Sequence, residues 1–508
     1  MRRAALLLLV LCGCTTAYAG RQRAVSPAQN QEWARGAVFY EVFVRSFADS
    51  NGDGIGDFNG LTAKLDYLSS LGVDGIWLMP VFESPSYHGY DTVDYENIEK
   101  DYGTNGDFER FLGEAHKRGI RVILDFVMNH TSSQHPWFSD PAKHDWYVWS
   151  ATNPGWHQPW GGDYPTWYLK NGAYYYGLFW SEMPDLNYRT PEVKAEMFRL
   201  AGTWLGQGVD GFRLDATRYL VETGPGPGQA DTAETHQILR DFSAYVRAMR
   251  PDAVLIAENT VDTKTLATYY ADGVMNFDFP LATAIVEGIK SGTAARIREA
   301  LLDIESAYPH DVIGTPFLAN HDHTRVATQL GNDPGKLRNA AAILLTLPGT
   351  PFIYYGEEVG LQNGPTSADE SKRTPMPWSA TGGFTSGTPW EAYAPGLAAN
   401  NVASETSDPQ SLLSYYRTWI GVRKHSLALS KGTLVPLEAG AQVLAFVRQY
   451  GGERVLVAHN VAASPMTVTV PLPAAAEALE TIYADSGVSN AAYRLTLPPH
   501  SSGVWRVR

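Results

Sequence analysis

A chain of 508 residues, 44% hydrophobic and 19% charged, exceeds one compact core and reads as two or three globular domains. Its net charge of -14 argues against nucleic acid as a partner, because a polyanion would be repelled, but not against a neutral polymer. No short fixed repeat or low-complexity tract suggests a solenoid or a disordered chain, and the 14 tryptophans suit the apolar faces of sugar rings as well as a core.

At the N-terminus, Arg2 and Arg3 precede an apolar run from Ala4 to Leu11. The run is too short to span a bilayer and predicts a secretory signal over residues 1–19. Two cleavage readings stand. Ala17-Tyr18-Ala19 ahead of Gly20 is an ordinary small-residue site, whereas Leu11-Cys12-Gly13-Cys14 is similar to a bacterial lipoprotein signal with Cys14 as the lipidated residue. Either reading places the chain outside the bacterial cytoplasm, freely secreted or lipid-anchored at the periplasmic or outer face. Cys12 and Cys14 are the only cysteines, so no disulfide is available to the mature chain. Residues 20–35 read as a polar tether.

Apolar, strand-like runs then recur at Val38–Phe47, Gly75–Phe82, Arg121–Met128, Gly211–Ala216, Ala253–Ala257, Gly273–Phe277, Pro316–Ala319 and Pro351–Tyr355. Near-continuous apolar runs suit strands buried on both faces of a parallel sheet. Helical patterns lie between them at Asn59–Leu71, Thr104–Arg118, Pro191–Gly206, Ala233–Arg250 and Lys336–Thr346. The alternation predicts an α/β fold, a (β/α)8 TIM barrel built from residues 36–130 and 191–427. The aromatic-rich stretch 131–190 after strand three is too long for a connection and predicts an inserted domain, with some of its tryptophans forming a core and fewer touching ligand. After the helix Ser411–Lys424, short strands at Val443–Val447, Arg454–Asn460, Met466–Val470 and Val504–Val507 predict a C-terminal antiparallel β domain over 428–508.

Polar residues cluster where the barrel strands end, the face on which barrels of this kind carry their sites. Strand three runs Asp125 to Asn129 and His130, strand four carries Arg213 and Asp215, Glu258 and Asn259 follow strand five, and Asn320, His321 and Asp322 follow strand seven. One such carboxylate would be read as a salt bridge or helix cap; four strand ends are hard to attribute to chance, since an unpaired buried charge is costly. Cleavage of a glycosidic bond needs this set: one ionised carboxylate to attack, and one protonated carboxyl to supply the departing oxygen, about 5–5.5 Å apart in a retaining enzyme. Arg213 and Asp215 share one face of a strand, so the cation is expected to keep Asp215 ionised. The nearby negative charge is expected to raise Glu258.

These four segments resemble the signature regions of the α-amylase superfamily, glycoside hydrolase family 13, with matches from about Val38 to Leu361. The resemblance implies Asp215 as nucleophile, Glu258 as acid/base and Asp322 as the third carboxylate, binding and distorting the sugar beside the scissile bond. It further implies that Arg213 orients the nucleophile, that Asp125 supports that pair, that His130 and His321 bond sugar hydroxyls, and that Tyr90 stacks under the same sugar. Met183-Pro184-Asp185-Leu186-Asn187 resembles a further signature, intermediate between the oligo-1,6-glucosidase and neopullulanase groups.

The run Asp49-Ser50-Asn51-Gly52-Asp53-Gly54-Ile55-Gly56-Asp57 sets oxygen-bearing residues around a glycine turn, which suits a hard cation or a plain Asx-rich turn. It is no EF-hand, since Gly60 stands at the twelfth position. The family resemblance implies Ca2+ held by the side chains of Asp49, Asn51, Asp53 and Asp57 and the Ile55 carbonyl. Asn129 matches one ligand of a second ion, but Arg218-Tyr219 stands where that site's Lys-His pair would be.

The expected activity is hydrolysis of internal α-1,4 bonds in an α-glucan, starch or maltooligosaccharides, by a monomer. Exo-acting relatives typically carry an acidic residue three positions before the stacking tyrosine; here that position is Tyr87, a neutral ring that offers a stacking face for a continuing chain. Ala216, directly after the nucleophile, also lacks the valine typical of α-1,6-preferring enzymes. The rival readings are an exo-acting α-glucosidase or oligo-1,6-glucosidase, a cyclomaltodextrinase or neopullulanase, a glucan transferase, and a non-catalytic binding protein on the same fold.

Overall fold

The computed structural model describes residues 31–472, 478–491 and 493–508. The signal, both cleavage readings with Cys12 and Cys14, and residues 20–30 of the expected tether lie outside the described residues. Residues 31–35 are not a tether. The Trp33 indole nitrogen donates to the Asp252 carbonyl, Gln31 and Ala34 are buried, and Arg121 lies over the Trp33 ring, so this turn packs on the barrel floor.

Eight parallel strands form the barrel: β1 Phe39–Val42, β2 Gly75–Leu78, β3 Arg121–Val127, β4 Gly211–Asp215, β5 Val254–Ala257, β6 Met275–Phe277, β7 Gly314–Thr315 and β8 Phe352–Tyr354. They pair in order β7-β6-β5-β4-β3-β2-β1-β8, and a bridge between Phe317 and Phe352 closes the ring. Alternation sorts the side chains. Phe39, Trp77, Ile123, Ile256, Phe277 and Phe352 fill the interior, whereas Tyr40, Leu124, Phe126, Phe212 and Leu214 join the core beneath the helices. The Phe126 ring stacks on Phe242 of the helix Ala233–Met249 at 6.1 Å. The same alternation that turns Phe212 and Leu214 outward turns Arg213 and Asp215 inward.

Three expected elements differ. The first strand ends at Val42, and Val44–Phe47 is a short helix, because the chain folds back: Gly56 N donates to Arg45 O and Asp57 N to Ala48 O. The seventh strand lies before Pro316, which has no N–H to donate; beyond it only Phe317 makes a bridge. The expected helix Asn59–Leu71 is two helices, Phe58–Ala63 and Leu65–Leu71, broken at Lys64.

In the insert, Trp149–Ser150, Trp167–Lys170 and Ala173–Tyr176 form a three-stranded sheet around a small core of Trp167, Tyr176 and Leu178. A bridge from His130 to Asp185 and the bond from Leu186 N to the Asn129 carbonyl tie it to the end of β3. After the helix Leu412–Lys424, an antiparallel five-stranded sheet packs on a three-stranded one around Val443, Leu456, Leu495, Leu497 and Trp505. Four of these strands go beyond the expected set: Thr433–Leu437, Leu479–Ala484, Ser489–Ala491 and Arg494–Leu497. Their alternation is short and half exposed, so the apolar signal is weak. No helix among the described residues is long and apolar enough to cross a membrane.

Candidate active site

Parallel register brings the chemistry of β3, β4 and β5 to one mouth. Asp125 pairs with Arg213, and Leu214 with Ala257, so Asp215 and Glu258 emerge side by side. The Arg213 guanidinium is fully buried beneath them. Its Nη1 bonds both oxygens of Asp125 at 2.9 Å and Asp215 Oδ1 at 2.7 Å; its Nη2 reaches Glu258 Oε2 at 2.7 Å. One delocalised cation therefore faces three carboxyls, which a buried site needs if two of them are to stay charged.

The electrostatics differ from the sequence expectation in one respect. Burial raises the Asp215 carboxyl above its ordinary range, with Arg213 opposing it, so the cation moderates rather than sets its ionisation. Burial is also the main cause at Glu258, which is pushed up to about 7, with the charges of Asp215 and Asp322 adding to it and Arg213 opposing. Burial pushes Asp125 up to about 6 against the pull of Arg213. Glu258 thus holds a proton near neutrality, as an acid must. Ala216, just after Asp215, sits at φ 50°, in the left-handed region that few non-glycine residues adopt.

Asp322 is held from two sides. His321 Nε2 lies 3.0 Å from one oxygen and Arg373 Nη2 2.9 Å from the other. Burial alone would raise Asp322, but His321, Arg373 and Arg213 hold it well below the usual carboxylate range. His321 is in turn clamped by Glu41, whose Oε1 lies 2.6 Å from Nδ1. Burial opposes its protonation, yet Asp322 and Glu41 push it up to about 10, so the imidazolium persists at neutral pH. Its Nε2 also lies 2.7 Å from the Tyr90 hydroxyl. Both ring nitrogens therefore lie against protein groups, and His321, which is not among the residues that line the cavity, fixes Asp322 and Tyr90. His130 does line it. Burial lowers its imidazole to about 4, and its Nε2 has no protein partner.

These groups surround a cavity of about 590 Å³ lined by Tyr90, His130, Asp215, Glu258, Asp322 and Arg373 at its floor, with Trp160, Phe179, Trp180 and Tyr219 on one wall. Tyr87 does not line it. Its ring lies on Trp390 at 5.4 Å and its hydroxyl accepts from Arg373 Nη1 at 2.9 Å, so the residues presented there are Arg373 and Asp369, which are ion-paired at 2.6 Å. A second cavity, of about 720 Å³, lies at the opposite barrel end and holds none of the predicted residues. Sequence reasoning missed Glu41, Arg373 and the aromatic wall. Glu41 carried the signal used elsewhere, a carboxylate inside an apolar strand; Arg373 lies in a loop with no periodicity to mark it.

The 49–57 loop has the oxygen donors Ca2+ takes, but its carboxylates are turned onto the loop itself. Asp49 accepts from the amides of Asn51, Gly52 and Gly54 and lies below its ordinary range, burial opposing and the Thr385 hydroxyl and those amides prevailing. Asp53 accepts from Ile55 N and Asn51 Nδ2. Asp57 accepts from Ser50 N and caps the next helix at Gly60 N. Among the described residues no three His, Cys, Asp or Glu side chains converge as a metal site. At the position considered for a second ion, Asn129 Nδ2 bonds Asp185 and Arg218 pairs with Asp231.

Comparison with known proteins agrees with this geometry. The sequence matches the family description "Alpha amylase, catalytic domain" over residues 41–432 and "Alpha-amylase SusG C-terminal domain" over 443–504. It is 39% identical to Alpha-amylase 3 of Dictyoglomus thermophilum, over 85% of this chain and 86% of that protein. It is 35% identical to a trehalose synthase of Pimelobacter sp., over 87% and 90%. A crystal structure of an α-amylase from H. orenii superposes with a TM-score of 0.86 at 36% identity, covering 93% of this chain and all of that one.

Proposed function

The chain belongs to the α-amylase family of glycoside hydrolases, and from that premise we propose a retaining enzyme that cuts internal α-1,4 bonds of starch and maltooligosaccharides. The observation that carries the chemistry is the single buried guanidinium contacting both Asp215 and Glu258. Asp215 attacks the anomeric carbon while Glu258 gives its proton to the departing oxygen, leaving a glycosyl ester on Asp215. Glu258, now a carboxylate, takes a proton from water as the water attacks and the ester breaks. The Tyr90 ring supports the sugar, Asp322 accepts its hydroxyls, and the unpartnered His130 Nε2 is free for another.

Endo action is supported by the similarity to α-amylases. The exo reading has one observation in its favour: Asp369 and Arg373 place a carboxylate and a guanidinium at the wall where a chain would continue. Iodine staining against reducing-end release separates the two. Early loss of colour at low reducing-end yield is expected; slow loss with glucose as first product would make the enzyme an α-glucosidase.

The oxygen-only donor set of the 49–57 loop supports Ca2+ as a stabilising ion there, held by Asp49, Asn51, Asp53, Asp57 and the Ile55 carbonyl. The basic start, apolar run and Cys14 support export with a lipid anchor. Mass spectrometry of the native N-terminus should find acylated Cys14, and a free Gly20 would show ordinary secretion instead.

A further inference from the structure

Arg373 reaches Asp322 from a loop that follows β8, so the backbone of that loop decides where its guanidinium stands. Three successive carbonyls there are held by side chains from other elements. Lys372 O accepts from Arg325 Nε at 2.8 Å and from the Tyr354 hydroxyl at 3.1 Å. Arg373 O accepts from Ser46 Oγ at 2.5 Å, and Thr374 O from the Tyr355 hydroxyl at 2.7 Å. From this fixed backbone the Arg373 side chain donates to His321 O at 3.2 Å and to Asp322 Oδ1 at 2.9 Å.

Arg325 is the centre of these contacts. It is buried, three residues past Asp322, and its guanidinium lies 4.1 Å over the Tyr354 ring and 4.6 Å over that of Tyr355. Its Nη1 donates to Tyr355 O at 2.7 Å, so one side chain grips both the end of β8 and the loop beyond it. Both bonds go to carbonyls, not to a carboxylate. A cation buried on those terms is costly even with rings against it, and an apolar side chain would fill the space at less cost. An apolar side chain would leave the Lys372 carbonyl unheld by this segment. The segment that carries Asp322 thus also fastens, from behind, the loop whose arginine clamps Asp322.

We propose that Arg325 is a positioning residue for the reaction: with Tyr354 and Tyr355 it sets the backbone at residues 372–374, and through Arg373 the oxygens of Asp322 that meet the sugar. The inference rests on the role given above to Asp322 as acceptor of the sugar's hydroxyls. Arg325 touches neither the sugar nor the reacting atoms. Its effect is on the transition state, where a displacement of Asp322 by about 1 Å costs about 10²-fold in rate.

The test is a cycle of variants read by kcat and KM on maltooligosaccharides, with the melting temperature measured alongside. Arg325→Met should lower kcat by about 10²-fold and change KM by less than about threefold. The same substitution made in Arg373→Met should lower kcat by less than about threefold further, because the contact it serves is already gone. Arg325→Lys, which keeps the charge but not the fork that reaches two carbonyls, should restore part of kcat. The pair Tyr354→Phe and Tyr355→Phe keeps both rings and removes only the hydroxyl bonds to Lys372 O and Thr374 O. It should lower kcat by about tenfold in the parent and not in Arg373→Met, and it carries the test if Arg325→Met does not fold. Equal fold losses in the two backgrounds, or parental kcat in the parent background, overturn the positioning role and leave Arg325 a structural cation. Parental kcat in Asp322→Asn overturns instead the role given to Asp322, and the positioning role with it.

Discussion

The carboxylates at the barrel mouth and those of the 49–57 loop are equally plain along the chain, but they find their partners in different ways. At the mouth, Asp125, Asp215 and Glu258 converge from three strands on one buried guanidinium, and Asp322 is held by His321 and Arg373. In the loop, Asp49, Asp53 and Asp57 accept from amides within a few residues of themselves. Buried charges left without a partner would cost several kcal/mol each; the mouth meets that need across the fold, and the loop meets it for the buried Asp57 with donors close by in the chain. The first arrangement leaves reactive groups under tension between burial and a shared cation; the second ties its carboxylates to nearby amides.

The largest effects should follow from breaking the first arrangement. Asp215→Asn and Glu258→Gln are each expected to lower kcat on maltooligosaccharides by about 10³-fold or more, with the far-UV spectrum unchanged. Near-parental turnover by either purified variant would remove that residue from the chemistry. Azide should restore part of the activity of Asp215→Ala and none to a variant lacking Arg213.

Removing the shared cation tests stability as well. Arg213→Met leaves Asp125, Asp215 and Glu258 facing each other, and about 3–5 kcal/mol of stability should be lost at neutral pH. The loss should shrink in mild acid, where the carboxyls take up protons; a denaturation midpoint equal to the parent's would show that the cation is not what holds them.

A pH profile sharpens the comparison further. Glu258 must be protonated to act as acid, and its carboxyl lies near 7. The alkaline limb of kcat/KM should therefore fall about tenfold per pH unit above about 7, and a flat limb to pH 9 would assign the acid elsewhere. His321 supplies the opposite control. Its pKa is raised by folding to about 10, so the stability it contributes is fully present below about 6.5 and is lost as pH rises through about 10.

The smallest effect belongs to the loop. Chelation should lower the melting temperature by a few degrees, calcium should restore it, and Asp53→Ala should abolish the response. No change on chelation would leave the loop as the hydrogen-bonded turn its side chains describe.

Much of the site was legible because strand alternation and strand ends are local properties. Arg213 and Asp215, two residues apart, must share a face, and the same period marks Phe212 and Leu214 as core. The tertiary structure alone decided the pairings across long separations. Glu41 lies 280 residues from His321, and that contact holds the imidazole against Asp322. Arg373, from a loop 51 residues past Asp322, displaces Tyr87 from the wall the sequence had given it. Trp160 meets Tyr219 only because the insert folds back over the mouth of β4. Residue type and spacing settle which groups can do chemistry; which of them face the ligand depends on what else is packed against them, and that is set by contacts the chain makes only once it has folded.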